Sequence, residues 1–185
     1  MTRDQDQLTK FHALLQEQIR NEFDASHRYV ATAVHFDAAD LPRLAALFYA
    51  QSVEERNHAM MIVQYFLDRD IPVELSGSAS ISEAAPTSFE SARDAIAAAL
   101  RQEELVTEQI VALAKAARDE GEFVGEQFMQ WFLEEQVEEV STMKTLLTVA
   151  DRAGENLFAL EDFVARELSA SEPRRTPPRA AGGAL

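Results

Sequence analysis

Residues 42–69 read PRLAALFYAQSVEERNHAMMIVQYFLDR. The opening proline fits the first turn of a helix, where its missing N–H is not needed, and nothing after it breaks a helix. Leu44, Phe48, Gln51, Glu55, His58, Ile62 and Tyr65 recur at alternating steps of four and three, the spacing of one buried seam. The seam is apolar at both ends and carries a carboxylate and an imidazole in its middle.

The same pattern recurs on either side. The spacing predicts helices over Gln7–Asp37, Pro42–Arg69, Ser88–Asp119 with Ser88 as N-cap, and Glu122–Arg152, followed by a short fifth helix over Asn156–Leu168. Ile71-Pro72 stops the second helix, and Gly121 and Gly154 punctuate the later ones. Two short connections and one long one, running to about Thr87, predict an all-α four-helix bundle with a single long crossover and a short fifth C-terminal helix. Residues 1–168 are expected to form one domain and 169–185 a mobile C-terminal tail.

Each of the other seams also carries an acid near its middle. The first runs Leu8, Phe11, Leu15, Glu22, Tyr29, Phe36. The third runs Ile96, Leu100, Glu103, Thr107, Ile110, Ala114. The fourth runs Phe132, Gln136, Glu139, Met143, Leu146, Ala150. Antiparallel packing would bring Glu22, Glu55, Glu103 and Glu139 to one level. Buried carboxylates are costly and repel one another, and no Lys or Arg lies in any seam to neutralise them. Two divalent cations would supply the missing charge. Glu55-x-x-His58 can reach one ion from one helix face, as in di-metal carboxylate bundles, whereas the fourth helix offers Gln136-x-x-Glu139, so an asymmetric site is expected. Oxygen-rich ligation with one imidazole suits iron or manganese. Glu104 follows Glu103, so a slipped register would exchange the two. Glu54, Glu135 and Glu138 flank the proposed ligands and fit either a third cation site or a solvated acidic face.

Composition removes other classes. The chain carries 32 acidic and 17 basic residues, a net charge of −15, which argues against a nucleic-acid-binding body. No apolar run reaches the roughly 18–20 residues that span a bilayer, and the polar start MTRDQDQLTK does not read as a signal, so a cytoplasmic location is expected. The absence of cysteine excludes disulfides, thiolate nucleophiles and cysteine-bound iron clusters, including a rubrerythrin-type centre.

The blocks Asn21-Glu22-Phe23, Val53 to Ala59 (VEERNHA), Gln102 to Thr107 (QEELVT) and Gln130 to Glu139 (QWFLEEQVEE) resemble those of non-haem bacterial ferritins, above all the actinobacterial ferritins labelled bacterioferritin B. The resemblance runs from Phe11 to Leu168. It implies a 24-subunit homo-oligomeric cage, a ferroxidase centre where O₂ oxidises two Fe(II), and storage of ferric mineral inside. It implies that Glu22, Glu55 and His58 form the first iron site, that Glu55 bridges to a second with Glu103 and Gln136, with Glu139 close by, and that Glu54, Glu135, Glu138 and Glu139 form a third. Tyr29 and Trp131 match aromatics beside the site, as electron donors or as packing. Haem-binding relatives place a methionine directly after the bridging Glu; Arg56 stands there, so no haem is expected. The resemblance also places Asp119, Glu120, Glu122 and Glu126 at three-fold pores, where they would draw Fe(II) inward or merely solvate a helix end. The apolar residues of the fifth helix suggest contact with neighbouring subunits.

Three alternatives compete. A di-metal oxygenase would need a substrate pocket that the filled seams leave little room for. A twelve-subunit DNA-protecting ferritin would place its ligands between subunits. A plain helical scaffold would leave four central acids unexplained.

Overall fold

Four of the five helices begin where a side chain, local or distant in sequence, accepts from their first free N–H groups. A computed structural model describes residues 8–75, 89–168 and 176–185. Within them α1 spans Lys10–Ala38, α2 Pro42–Asp68, α3 Ala92–Glu120, α4 Phe123–Ala153 and α5 Leu157–Phe163, the last continuing as a π-helical turn over Val164–Leu168. The Thr9 hydroxyl accepts from His12 N, Ser91 from Asp94 N, and Asn156 from Ala159 N. Ser91 rather than Ser88 therefore caps α3; Ser88 lies outside the described residues.

Two caps come from far along the chain. Leu41 gives α2 no side-chain cap, and the Glu161 carboxylate of α5 accepts from Arg43 N at 2.9 Å and Leu44 N at 2.8 Å. Glu120, at the end of α3, accepts from Lys10 N at 2.9 Å and Phe11 N at 3.0 Å. Each places a negative charge at a helix N-terminus, where the macrodipole favours it. Gly121 ends α3 at φ 69°, a left-handed conformation that suits glycine, and the α3–α4 turn follows at once.

α1 packs chiefly on α2 and α3 on α4, with α1 also against α3. Gly125 admits this packing at one end: a Cβ there would overlap the Phe11 ring. The core divides into two apolar clusters. One holds Phe11, Leu15, Ile19, Ile62, Phe66, Ile110, Leu113, Met129 and Phe132. The other holds Tyr29, Phe36, Leu44, Phe48, Ile96, Met143, Leu146 and Leu160. On every long helix the polar residues of the seam fall between them.

The fifth helix uses most of its apolar surface within its own chain. Leu160 and Val164 are buried in the second cluster, Leu157, Phe163 and Leu168 pack against it, and Phe158 is exposed. This reduces the apolar surface expected to seek neighbouring subunits. At the C-terminus, Ala180 and Ala181 pack on the first cluster, Ala181 N donates to Met60 O at 2.9 Å, and Leu185 N to Asn57 Oδ1 at 3.1 Å. Residues 169–175, the start of the expected tail, lie outside the described residues.

Candidate metal centre

The polar band between the two clusters contains Glu22, Glu55, His58, Glu103, Gln136 and Glu139, all buried. Glu22 stands on α1, Glu55 and His58 on α2, Glu103 on α3, Gln136 and Glu139 on α4. The register question at α3 is resolved: Glu103 is 0% exposed, while Glu104 faces solvent 3.7 Å from Lys144 Nζ.

Glu22, Glu55 and His58 each offer a ligand atom within 4.8 Å of the others. His58 Nδ1 lies 3.3 Å from Glu55 Oε2. Gln18 Nε2 donates to Glu22 Oε1 at 2.9 Å and orients it. Glu22 Oε2 and His58 Nε2 are buried with no hydrogen-bond partner. Buried polar atoms are nearly always paired, so two orphaned donor atoms in one acid-and-imidazole cluster fit a divalent cation.

Glu103, Gln136 and Glu139 stand beside this group, and Glu103 and Glu139 join no three-residue metal-binding cluster among the described residues. They are held instead by hydrogen bonds. Tyr29 donates its phenolic proton to Glu103 Oε1. Gln136 Nε2 lies 3.2 Å from both Glu103 O and Glu103 Oε2 and 3.3 Å from Thr107 Oγ1. Gln51 Nε2 reaches Glu54 Oε2 at 2.9 Å and Glu139 Oε1 at 3.5 Å.

A second group joins Glu54 and Glu135 through His58, again with ligand atoms within 4.8 Å. It is half-buried, and Glu138 is not part of it. His58 is thus common to both groups.

Charge explains the strain in this band. Burial pushes the Glu22 carboxyl well above the usual carboxylate range, and Glu55 adds repulsion. Burial and then Glu103 do the same to Glu55. Burial and then Glu54 and Glu103 raise Glu139. Glu103 is also raised by burial, though the hydrogen bonds from Tyr29 and Gln136 oppose the shift. Glu135 is raised by burial and by Glu54. Burial and the Glu103 charge hold Tyr29 well above its ordinary value, so it serves as a neutral donor. A cation bound by Glu22 and Glu55 would lower the cost of keeping those two carboxylates ionised.

Trp131 packs edge-on to His58 with ring centroids 5.6 Å apart, and its Nε1 is buried without a partner. Three of the four junction acids have tasks within the chain: Glu120 caps α1, Glu122 pairs with Arg69 at 2.9 Å, and Glu126 with Arg118 at 2.6 Å. Their availability to draw in a cation is correspondingly reduced. His12 is buried, with Nδ1 at 2.9 Å from Thr9 Oγ1, while His35 packs on Phe36 and Phe89.

Three orienting residues escaped the sequence reading of roles: Gln18, Gln51 and Thr107. Each lies four residues from a proposed ligand, on its own helix. Gln51 and Thr107 stood in the seams, and a search for amides or hydroxyls one turn from a seam acid would have found all three.

The ferritin-like domain family matches residues 12–153 of this chain. Ferritin BfrB of Mycolicibacterium smegmatis is 64% identical over 177 residues, 96% of each chain. Ferritin BfrB of Mycobacterium tuberculosis is 59% identical over 177 residues, again 96% of each chain. A bacterial non-heme ferritin of Staphylococcus aureus is 32% identical over 146 residues, 79% of this chain and 86% of that one. An open-pore ferritin of Archaeoglobus fulgidus has a similar structure, with a TM-score of 0.80, 28% identity, and coverage of 89% of this chain and 99% of that one. The acid-centred bundle described above is therefore that of a ferritin, and the chain belongs to the ferritin family.

Proposed function

We propose that the protein is an iron-storage ferritin. In this reading it oxidises Fe(II) with O₂ at an intra-subunit diiron centre and stores the Fe(III) product as a mineral inside a 24-subunit cage. Iron is substrate and cargo. Glu22, Glu55 and His58 hold one Fe(II). Glu55 also reaches the second, which Glu103, Gln136 and Glu139 surround. Each Fe(II) gives one electron to O₂. The protein's part is to neutralise the two cations, fix their spacing and keep the apolar clusters closed on either side. Tyr29 and Gln136 hold Glu103 in place. Glu54, Glu135, Glu138 and Glu139 hold a further cation next to the centre.

The observation that carries the reading is the convergence of Glu22, Glu55 and His58, with two orphaned ligand atoms, inside a band of buried carboxylates that no Lys or Arg among the described residues neutralises. Membership of the ferritin family supports iron storage in general terms. The test is aerobic loading with excess Fe(II), followed by size exclusion with protein and iron detected together. Iron far above two per subunit, co-eluting at the mass of 24 copies of 20.6 kDa, about 490 kDa, is expected. About two irons per subunit on a small oligomer would overturn the storage reading.

A further inference from the structure

A cavity of about 220 Å³ lies between α1 and α3, lined by Arg28, Tyr29, Thr32, Phe89, Arg101 and Gln102 among others. Among the described residues no carboxylate lines it. Neither Arg28 nor Arg101 forms an ion pair among the described residues, in a chain with nearly twice as many acids as bases. Two arginines lining one small cavity make it cationic and favour an anion there. A second observation points the same way. Gln102 is only 9% exposed, yet its amide Nε2 donates to nothing. A buried donor left unpaired costs free energy, and an acceptor in the cavity would satisfy it. The Thr32 hydroxyl already donates to Arg28 O at 3.1 Å, so the free donors are the amide and the two guanidiniums.

We propose that this cavity binds a small, multiply charged oxyanion of the phosphate class, held by Arg28, Arg101 and the Gln102 amide. Guanidinium forks match tetrahedral oxyanions in geometry as well as charge. The site is cationic and is built from α1 and α3, whereas the Glu54–Glu135 acids stand on α2 and α4. The two classes of ion would therefore meet different faces of one subunit. Tyr29 forms the wall between them: it lines the cavity and donates to Glu103.

The inference goes beyond the iron-storage reading and stands apart from it, because its test uses iron-free protein. Inorganic phosphate is titrated into the full-length, iron-free chain by calorimetry, with chloride at matched ionic strength as reference. Saturable binding of phosphate and none of chloride is expected. Arg28→Gln/Arg101→Gln should weaken it about tenfold or more, and Gln102→Leu by a smaller factor. Arg93→Gln, which breaks an exposed pair with Asp151, should leave it unchanged. Should the double variant fail to fold, Arg101→Gln alone removes one charge at an exposed position. Phosphate that does not saturate, chloride that binds equally well, or a correctly folded arginine variant that binds as the parent does overturns the proposal. Loss of Fe(II) oxidation in a variant that still binds phosphate bears on the iron reading alone.

Discussion

Tyr29 on α1 donates its phenolic hydrogen bond to Glu103 on α3, so a neutral phenol and a buried carboxylate join two helices at the level of the proposed centre. Tyr29→Phe removes that donor and leaves Glu103 with Gln136. The iron-free protein should lose about 1–3 kcal/mol, the cost of an unsatisfied buried acceptor. Denaturant unfolding checks this. Fe(II) oxidation, followed by absorbance, should slow as Glu103 loses its fixed orientation.

The raised carboxylates set the pH dependence of the iron-free fold. Glu22, Glu55, Glu103 and Glu139 all have folded-state values above the ordinary 4.5. Between the unfolded and folded values the native state binds more protons than the unfolded one, so stability falls as pH rises through that window. His12 acts in the opposite sense: burial lowers it from 6.5, so acidification below that value costs stability. Glu135 is raised as well, so five carboxylates oppose one imidazole. The iron-free protein should become more stable as pH is lowered from 7 towards 5, and Glu55→Gln should flatten the trend. A thermal midpoint that falls steadily over that range would show that the buried acids do not govern it.

His58 belongs to both acid groups, whereas Glu135 belongs to one. His58→Ala should therefore weaken metal binding at both sites. Glu135→Gln should spare the Glu22–Glu55–His58 group and remove only the additional cation. Anaerobic Fe(II) titration separates the two outcomes by stoichiometry. Equal loss in both variants would mean that Glu135 serves the main centre.

The helices and the level of the buried acid band were legible in the sequence because both are periodic. Leu44, Phe48, Ile62 and Tyr65 mark a seam, and Glu55 and His58 interrupt it at the expected step. All four seam acids fall in the band between the two apolar clusters. The caps were not legible. Glu120 lies 110 residues from Lys10 and Glu161 118 residues from Arg43, and no local pattern marks either pairing. The start of α3 was placed at Ser88 because one serine before a helical run looks like another. Only the hydrogen bond from Asp94 N distinguishes Ser91. The exposure of Glu104 beside a buried Glu103 likewise required the helix to be seated against its neighbours.

Glu161 ties the fifth helix to the bundle through the start of α2. Its two carboxylate oxygens accept from Arg43 N and Leu44 N, and Leu41 supplies no cap of its own. Glu161→Ala should cost about 0.5–2 kcal/mol, the usual loss for a helix N-cap. The effect should be local. Amide exchange should quicken at Arg43 and Leu44 and along α5, where Leu160 and Val164 would lose their fixed seat in the second cluster. The band around Glu22 and Glu55 is carried by the α1–α2 pairing, so Fe(II) oxidation should be retained. Glu161→Gln keeps one acceptor oxygen and loses the charge, so it should recover only part of the loss, through the hydrogen bond that remains. If exchange at Arg43 and Leu44 stays unchanged in Glu161→Ala, the α5 carboxylate is not the cap of α2.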